Sequence, residues 1–129
     1  MIKPKKATIV VADDDSMLRE IVKIMLRSEA YSIVGEASNG EDAIRQCETL
    51  KPDLLLLDIN MPKLDGMLAL DAILKLNPAP IVLMMSADAT MDNVSGAIKK
   101  GAAGFVVKPL NAASVLDRVE AALKGKNKT

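Results

Sequence analysis

No histidine occurs in the 129 residues, tryptophan is absent too, and Tyr31 and Phe105 are the only aromatic side chains. Cysteine is limited to Cys47. Without an imidazole there is no Ser–His–Asp or Cys–His nucleophile system and no histidine general base. One thiol without histidine leaves no Cys/His zinc site and no disulfide within the chain. Two aromatics are too few to stack successive bases, and 17 basic against 17 acidic residues give no broad attraction to phosphate backbones. Long hydrophobic runs are missing as well, so no segment is expected to span a membrane. The start MIKPKKATIV is basic but lacks an apolar h-region and a small-residue cleavage site. The expectation is a cytoplasmic protein that contacts neither membrane nor nucleic acid directly.

The zero balance is unevenly spread. Six lysines lie in residues 1–6 and 124–129, so the body between them carries about six more acids than bases. Those two ends read as short basic tails, flanking a single domain over residues 7–123. Within it, ATIVVA (7–12), LLLL (54–57) and IVLMM (81–85) are apolar without alternation. Such runs suit central strands of a parallel sheet covered on both faces. SIVGEA (32–37) and FVV (105–107) are weaker strand candidates.

Helical patterns lie between them. Leu18, Ile21, Val22, Met25 and Leu26 recur at helical spacing, and Ala43, Ile44, Cys47 and Leu50 make a shorter stripe. Leu70, Ile73 and Leu74 follow, then Val94, Ala97 and Ile98, and last Val115, Leu116, Val119, Ala122 and Leu123. Asn39-Gly40, Lys51-Pro52, Asn77-Pro78 and Gly101 supply turn chemistry at the boundaries. The order is β-α five times with short connections. Right-handed crossovers then predict an α/β, doubly wound (βα)5 three-layer sandwich around a five-stranded parallel sheet.

In such folds ligands bind beyond the carboxyl ends of the strands. The first strand here ends in Asp13-Asp14-Asp15 and the third in Asp58, followed by Ile59-Asn60-Met61-Pro62. The fourth ends in Ser86-Ala87-Asp88, and the fifth in Lys108-Pro109. Clustered carboxylates resist ionising unless a cation joins them. Oxygen ligands without His or Cys point to Mg²⁺, or Mn²⁺, rather than zinc or copper. A cation, a hydroxyl and an ammonium make a cradle for a phosphoryl group, and the nearest carboxylate can be its nucleophile.

These pieces, the acidic pair opening the first helix, DINMPKLDG (58–66), SA (86–87) and KP (108–109), together resemble the receiver (CheY-like) domain of bacterial two-component response regulators. The resemblance covers residues 7–123. It implies that Asp58 accepts the phosphoryl group and that Asp13 and Asp14 hold Mg²⁺ together with Asp58 and the backbone carbonyl of Asn60. It implies that Ser86 and Lys108 engage the phosphoryl oxygens, with a cis peptide bond before Pro109 aiming the lysine. Phe105 matches a switch aromatic that is often Tyr, and here it lacks the hydroxyl. The donor would be a histidine kinase or a histidine phosphotransfer protein. The output would be a protein target, or a second receiver, on the face of the fourth helix, fifth strand and fifth helix. Ala89, Met91, Val94, Phe105 and Val107 are expected near that face. Such a chain is not an enzyme in the ordinary sense, though it assists its own phosphorylation and autodephosphorylation.

Asp15 reads as a helix cap or a solvent-facing acid, Cys47 as inert core, and Met17, Met25, Met67, Met84 and Met85 as core and rim packing. Asp65-Gly66 reads as turn chemistry. Asn60 and Asp88, each two residues past a signature residue, resemble the fast-decaying chemotaxis type. Three other readings fit less well. A haloacid-dehalogenase-type phosphatase needs a second Asp where Asn60 stands. A flavodoxin-like FMN carrier would meet three acids at its phosphate loop. A phosphorylation-independent interaction module would have no use for an intact signature.

Overall fold

Four consecutive leucines are sheltered only if both faces of their strand are covered, and Leu54, Leu55, Leu56 and Leu57 are all fully buried. The computed structural model describes residues 7–88 and 90–127. Its elements are β1 (Thr8–Ala12), α1 (Ser16–Arg27), β2 (Ser32–Ala37), α2 (Gly40–Leu50), β3 (Leu54–Asp58), α3 (Gly66–Leu74), β4 (Ile81–Ser86), α4 (Met91–Lys100), β5 (Gly104–Val107) and α5 (Ala112–Asn127). The strands are parallel, in the order β2-β1-β3-β4-β5. This is the doubly wound sandwich that the β-α alternation predicts.

Side chains on a strand alternate between faces, and that splits the core in two. Ile9, Val11, Leu54, Leu56, Leu83 and Met85 pack with Val22 and Leu26 of α1 and Val115 and Val119 of α5. Val10, Leu55, Leu57, Val82, Met84 and Phe105 pack with Cys47 of α2, Leu70 and Ile73 of α3 and Ala97 of α4. The second half-core holds Cys47, whose thiol burial pushes up to about 12, so it stays protonated and inert as expected.

Local chemistry sets the helix boundaries. Asp15 caps α1 by accepting from the backbone N–H groups of Met17 and Leu18, and Asn39 caps α2 through Asp42 N–H. Asp65 and Thr90 do the same for α3 and α4. Gly101 ends α4 in the left-handed region at φ 117°, which a glycine adopts without steric cost. The peptide bonds before Pro78 and Pro109 are cis.

Several expectations need correction. Part of the segment expected as a basic C-terminal tail is helical, since α5 runs to Asn127, and residues 128–129 lie outside the described residues. The ALKGK segment is mostly good helix formers, and Lys124 pairs with Glu120 one turn back at 2.9 Å. The N-terminal tail, residues 1–6, and Ala89 lie outside the described residues. Ile21, Leu50 and Ile98 sit on the edges of their apolar stripes and are more than 40% exposed. Met17, read as packing, is 71% exposed.

Gly66 couples the fold to the rim of the sheet. The first turn of α3 closes so tightly on the end of β3 that Gly66 N–H reaches Ile59 O at 2.7 Å. A Cβ at Gly66 would strike the Asp58 carbonyl and lie 2.6 Å from Ile59 Cα, contacts with backbone that cannot rotate away. Gly66→Ala is therefore expected to cost about 2 kcal/mol or more, read as a lower urea midpoint at unchanged slope.

Candidate functional site

The carboxyl ends of β1, β3, β4 and β5 form one rim, and the polar side chains expected there are brought to it. Asp13 follows the last residue of β1 and extends the sheet by one bond, its N–H donating to Ala37 O at 3.0 Å. Asp58 closes β3, paired in register with Met85. Both side chains are almost wholly buried, at 1% and 2% exposure, whereas Asp14 is exposed. Carboxylate oxygens of Asp13, Asp14 and Asp58 all lie within 4.8 Å of one another.

Lys108, at the end of β5, is the cation that answers this cluster. Its Nζ donates to Asp13 Oδ2 at 2.7 Å and stands 3.4 Å from Asp58 Oδ1. Lys108 N–H also bonds Ser86 O at 2.9 Å, which ties the lysine's backbone to the end of β4. Asp58 Oδ1 accepts a weak bond from Asn60 N–H at 3.3 Å. The balance stays unfavourable to ionised Asp58. Burial first, and the Asp13 charge second, push its carboxyl up to about 6, against the opposing pull of Lys108. Lys108, in turn, is held above its usual value: its bond to Asp13 and the Asp58 charge outweigh the burial that would lower it.

The other expected residues are placed as follows. Ser86 is fully buried, and its Oγ accepts from Asp88 N–H at 3.0 Å, within its own loop. Asn93 Nδ2 donates to Asp88 O at 3.0 Å and fastens that loop to α4. Phe105 is buried in the half-core shared with α4. Val94 packs partly against the same half-core, while Met91 at 82% and Val107 at 51% are exposed. Asp15 serves as the α1 cap, in line with its reading.

One set of residues carries no motif in the sequence and is nevertheless built into the site. Arg19, on α1, donates from a terminal guanidinium nitrogen to the backbone carbonyl of Asp13 at 2.6 Å and from Nε to Glu36 Oε1 at 2.8 Å. Lys23, one turn on and mostly covered, reaches the other Glu36 oxygen at 2.6 Å and also pairs with Glu20. Lys23 and then Arg19 hold the Glu36 carboxyl below the usual range. The signal in the sequence was two basic residues at i and i+4 interleaved with buried Val22 and Leu26.

A buried acid whose proton is held in the folded state makes stability depend on pH. Below about pH 4 Asp58 is protonated whether the chain is folded or not. As pH rises through 4 to 6 the unfolded chain releases that proton first, so this group's contribution to stability falls and stays low above pH 6. In chelator-treated protein at pH 7, Asp58→Asn is expected to stabilise by about 1–3 kcal/mol, with the gain vanishing near pH 4. Urea titrations of both proteins across that range measure it.

Among the described residues no helix is long and apolar enough to cross a membrane. Residues 9–120 match the family described as the response regulator receiver domain. The chain is 39% identical over 116 residues to the chemotaxis protein CheY of Listeria monocytogenes, covering 90% of this chain and 98% of that one. Among solved structures, the signal receiver domain of NarL from Mycobacterium tuberculosis superposes with a TM-score of 0.89 at 34% identity, covering 95% of this chain and 99% of that one. CheY of Borrelia burgdorferi, solved as a CheX–CheY–BeF3–Mg²⁺ complex, gives 0.87 at 32% identity, covering 91% and 89%. A receiver fold with a carboxylate cluster at its strand ends, and relatives of this closeness along nearly its whole length, mean that the chain belongs to the CheY-like response regulator receiver family of phosphorylation-based two-component signalling.

Proposed function

We propose that Asp58 is the phosphoryl acceptor and that Lys108, Ser86 and Phe105 turn its modification into a change on the surface of α4, β5 and α5. The observation that carries this reading is the position of Asp58: a buried carboxylate closing the central strand, 3.4 Å from a lysine and beside two further acids. A phosphohistidine on a histidine kinase or phosphotransfer protein presents its phosphorus to an Asp58 oxygen. The new O–P bond forms as the P–N bond breaks, and the electron pair of that bond returns to the donor imidazole.

The donor set fits a hard divalent cation: three carboxylates within reach of one another, with a single lysine bonded to one of them and near a second. Asp13, Asp14, Asp58 and the Asn60 carbonyl would hold Mg²⁺, or Mn²⁺, which when bound supplies positive charge against the phosphoryl oxygens. Lys108 leaves part of its contact with Asp13 to pair with those oxygens. The Ser86 hydroxyl, held now by Asp88 N–H, rotates to the same group, and the loop fastened by Asn93 shifts with it. Phe105 follows by packing, since it has no hydroxyl to exchange. The protein acts on itself and turns over no separate substrate.

The donor has to reach past α1, along which Met17, Ile21 and Ile24 are exposed at helical spacing, with Met17 in the first turn. Output partners are assigned to the opposite side of the rim, where Met91 and Val107 are exposed. Asn60 and Asp88 flank the phosphoryl site with a small amide and an acid, which favours rapid hydrolysis.

With acetyl phosphate and Mg²⁺, the wild type is expected to take up one phosphoryl group, seen on phosphate-affinity gels or by intact mass. Asp58→Asn and chelator-treated wild type are expected to take up none. Uptake by Asp58→Asn at the same site would overturn the assignment. The phosphoryl group is expected to decay within seconds to minutes after the donor is removed, and a lifetime of hours would remove Asn60 and Asp88 from their assigned role.

A further inference from the structure

The polar groups of Asp13 are all engaged, and by different parts of the chain. Its N–H bonds Ala37 O at the end of β2, Oδ1 accepts from Asp15 N–H at 2.9 Å, and Oδ2 accepts from Lys108. The fourth group, its main-chain carbonyl, is held by Arg19. That bond comes from a side chain that the phosphoryl chemistry does not use, and the guanidinium is itself anchored. Nε is fixed on Glu36 of β2, and Glu36 is fixed on Lys23. The Gln46 side-chain amide of α2 donates to the Glu36 carbonyl, so the edge strand is gripped from both faces. Arg19 and Lys23 are largely covered, with side-chain exposures of 15% and 9%.

We propose that Arg19, oriented by Glu36, is a positioning residue for Asp13, and that this bridge sets the divalent-cation affinity of the phosphorylation pocket. The inference rests on the assignment of Asp13 and Asp58 given above. A guanidinium is suited to the task because its planar fork serves two acceptors in fixed directions at once. Groups that orient the ligands of a metal without touching it commonly change its affinity by tenfold or more.

Two simpler roles for Arg19 give different signs. As a plain ion pair with Glu36 it would contribute modestly to stability and nothing to the pocket. As a plain positive charge beside three carboxylates it would oppose a cation, so its removal would tighten cation binding. As a positioning residue its removal loosens Asp13 and weakens cation binding, although the pocket then becomes more negative. The sign of the change therefore separates the three.

The test is a Mg²⁺ titration of the full chain, followed by backbone amide shifts of Asp13, Asp14 and Asn60, for wild type, Arg19→Met and Glu36→Gln. Mg²⁺ dependence of acetyl-phosphate uptake is measured in parallel. Both variants are expected to bind Mg²⁺ about tenfold more weakly. Their uptake rate at saturating Mg²⁺ is expected to stay near wild type, so the half-saturating concentration moves and the limiting rate does not. Glu36→Gln leaves Arg19 in place and serves if Arg19→Met does not fold. Wild-type or tighter Mg²⁺ binding in Arg19→Met overturns the inference, as does the same result in Glu36→Gln. If wild type itself neither responds to Mg²⁺ nor takes up the phosphoryl group, the assignment of Asp58 falls and this inference with it.

Discussion

Two buried carboxylates beside one ammonium are the constraint on which the rest of this structure depends. Asp13 and Asp58 are each nearly inaccessible, and Lys108 bonds the first while only approaching the second. An ion pair satisfies Asp13, and what remains is an acid that burial and its neighbour make reluctant to ionise. A sequence selected for stability alone would replace Asp58 with an apolar or amide side chain. Its presence at the end of a strand of four leucines is a cost to stability that the proposed chemistry would account for.

The sheet is what keeps this arrangement from relaxing. The acids would separate if the strand ends could move, but β1, β3 and β4 are interior strands with close-packed layers on both sides. The loops at the rim are tied as well. Asp15 caps α1 while its N–H holds Asp13, and Gly66 brings α3 against the carbonyl of Asp58. On the edge of the sheet the same job falls to charged side chains, with Arg19, Glu36 and Lys23 linking α1 to β2. The interior of the sheet positions by packing and its periphery by ion pairs.

How much of this was legible in the sequence follows from how local each signal is. The apolar runs, the Asn39-Gly40 and Gly101 turns and the acids after strands one and three are written within a few residues, and fold and acidic cluster follow from them. The exposure of Ile21, Leu50 and Ile98 is not local. A stripe at helical spacing says which side of a helix faces inward, while the fate of its margins depends on the width of the neighbouring helix. Arg19 and Glu36 are 17 positions apart and read separately as solvated charges; only the pairing of β1 with β2 makes them partners. A lysine-rich end reads as a tail, although Ala, Leu and Lys also favour helix, and α5 continues to Asn127. Phe105 is expected near the face of α4, β5 and α5, but how deep it sits in the half-core depends on α4.

The raised value of Asp58 and the missing histidine belong to one argument. A carboxyl pushed up to about 6 is still mostly ionised at neutral pH, and it is a stronger base than an ordinary aspartate. On the proposed assignment the ionised carboxylate already carries the electron pair that attacks phosphorus, so no general base is needed to deprotonate it. The chain, on that assignment, has no need of an imidazole of its own. On that reading the imidazole arrives with the donor and leaves with it. An acyl phosphate, on the proposed assignment, would replace a carboxylate that the pocket accommodates poorly, and it would add oxygens for Lys108 and Ser86 to engage. The protein that results differs from its starting state where the burial of charge was least satisfied, so the site that weakens the fold is also the site from which the fold can be switched.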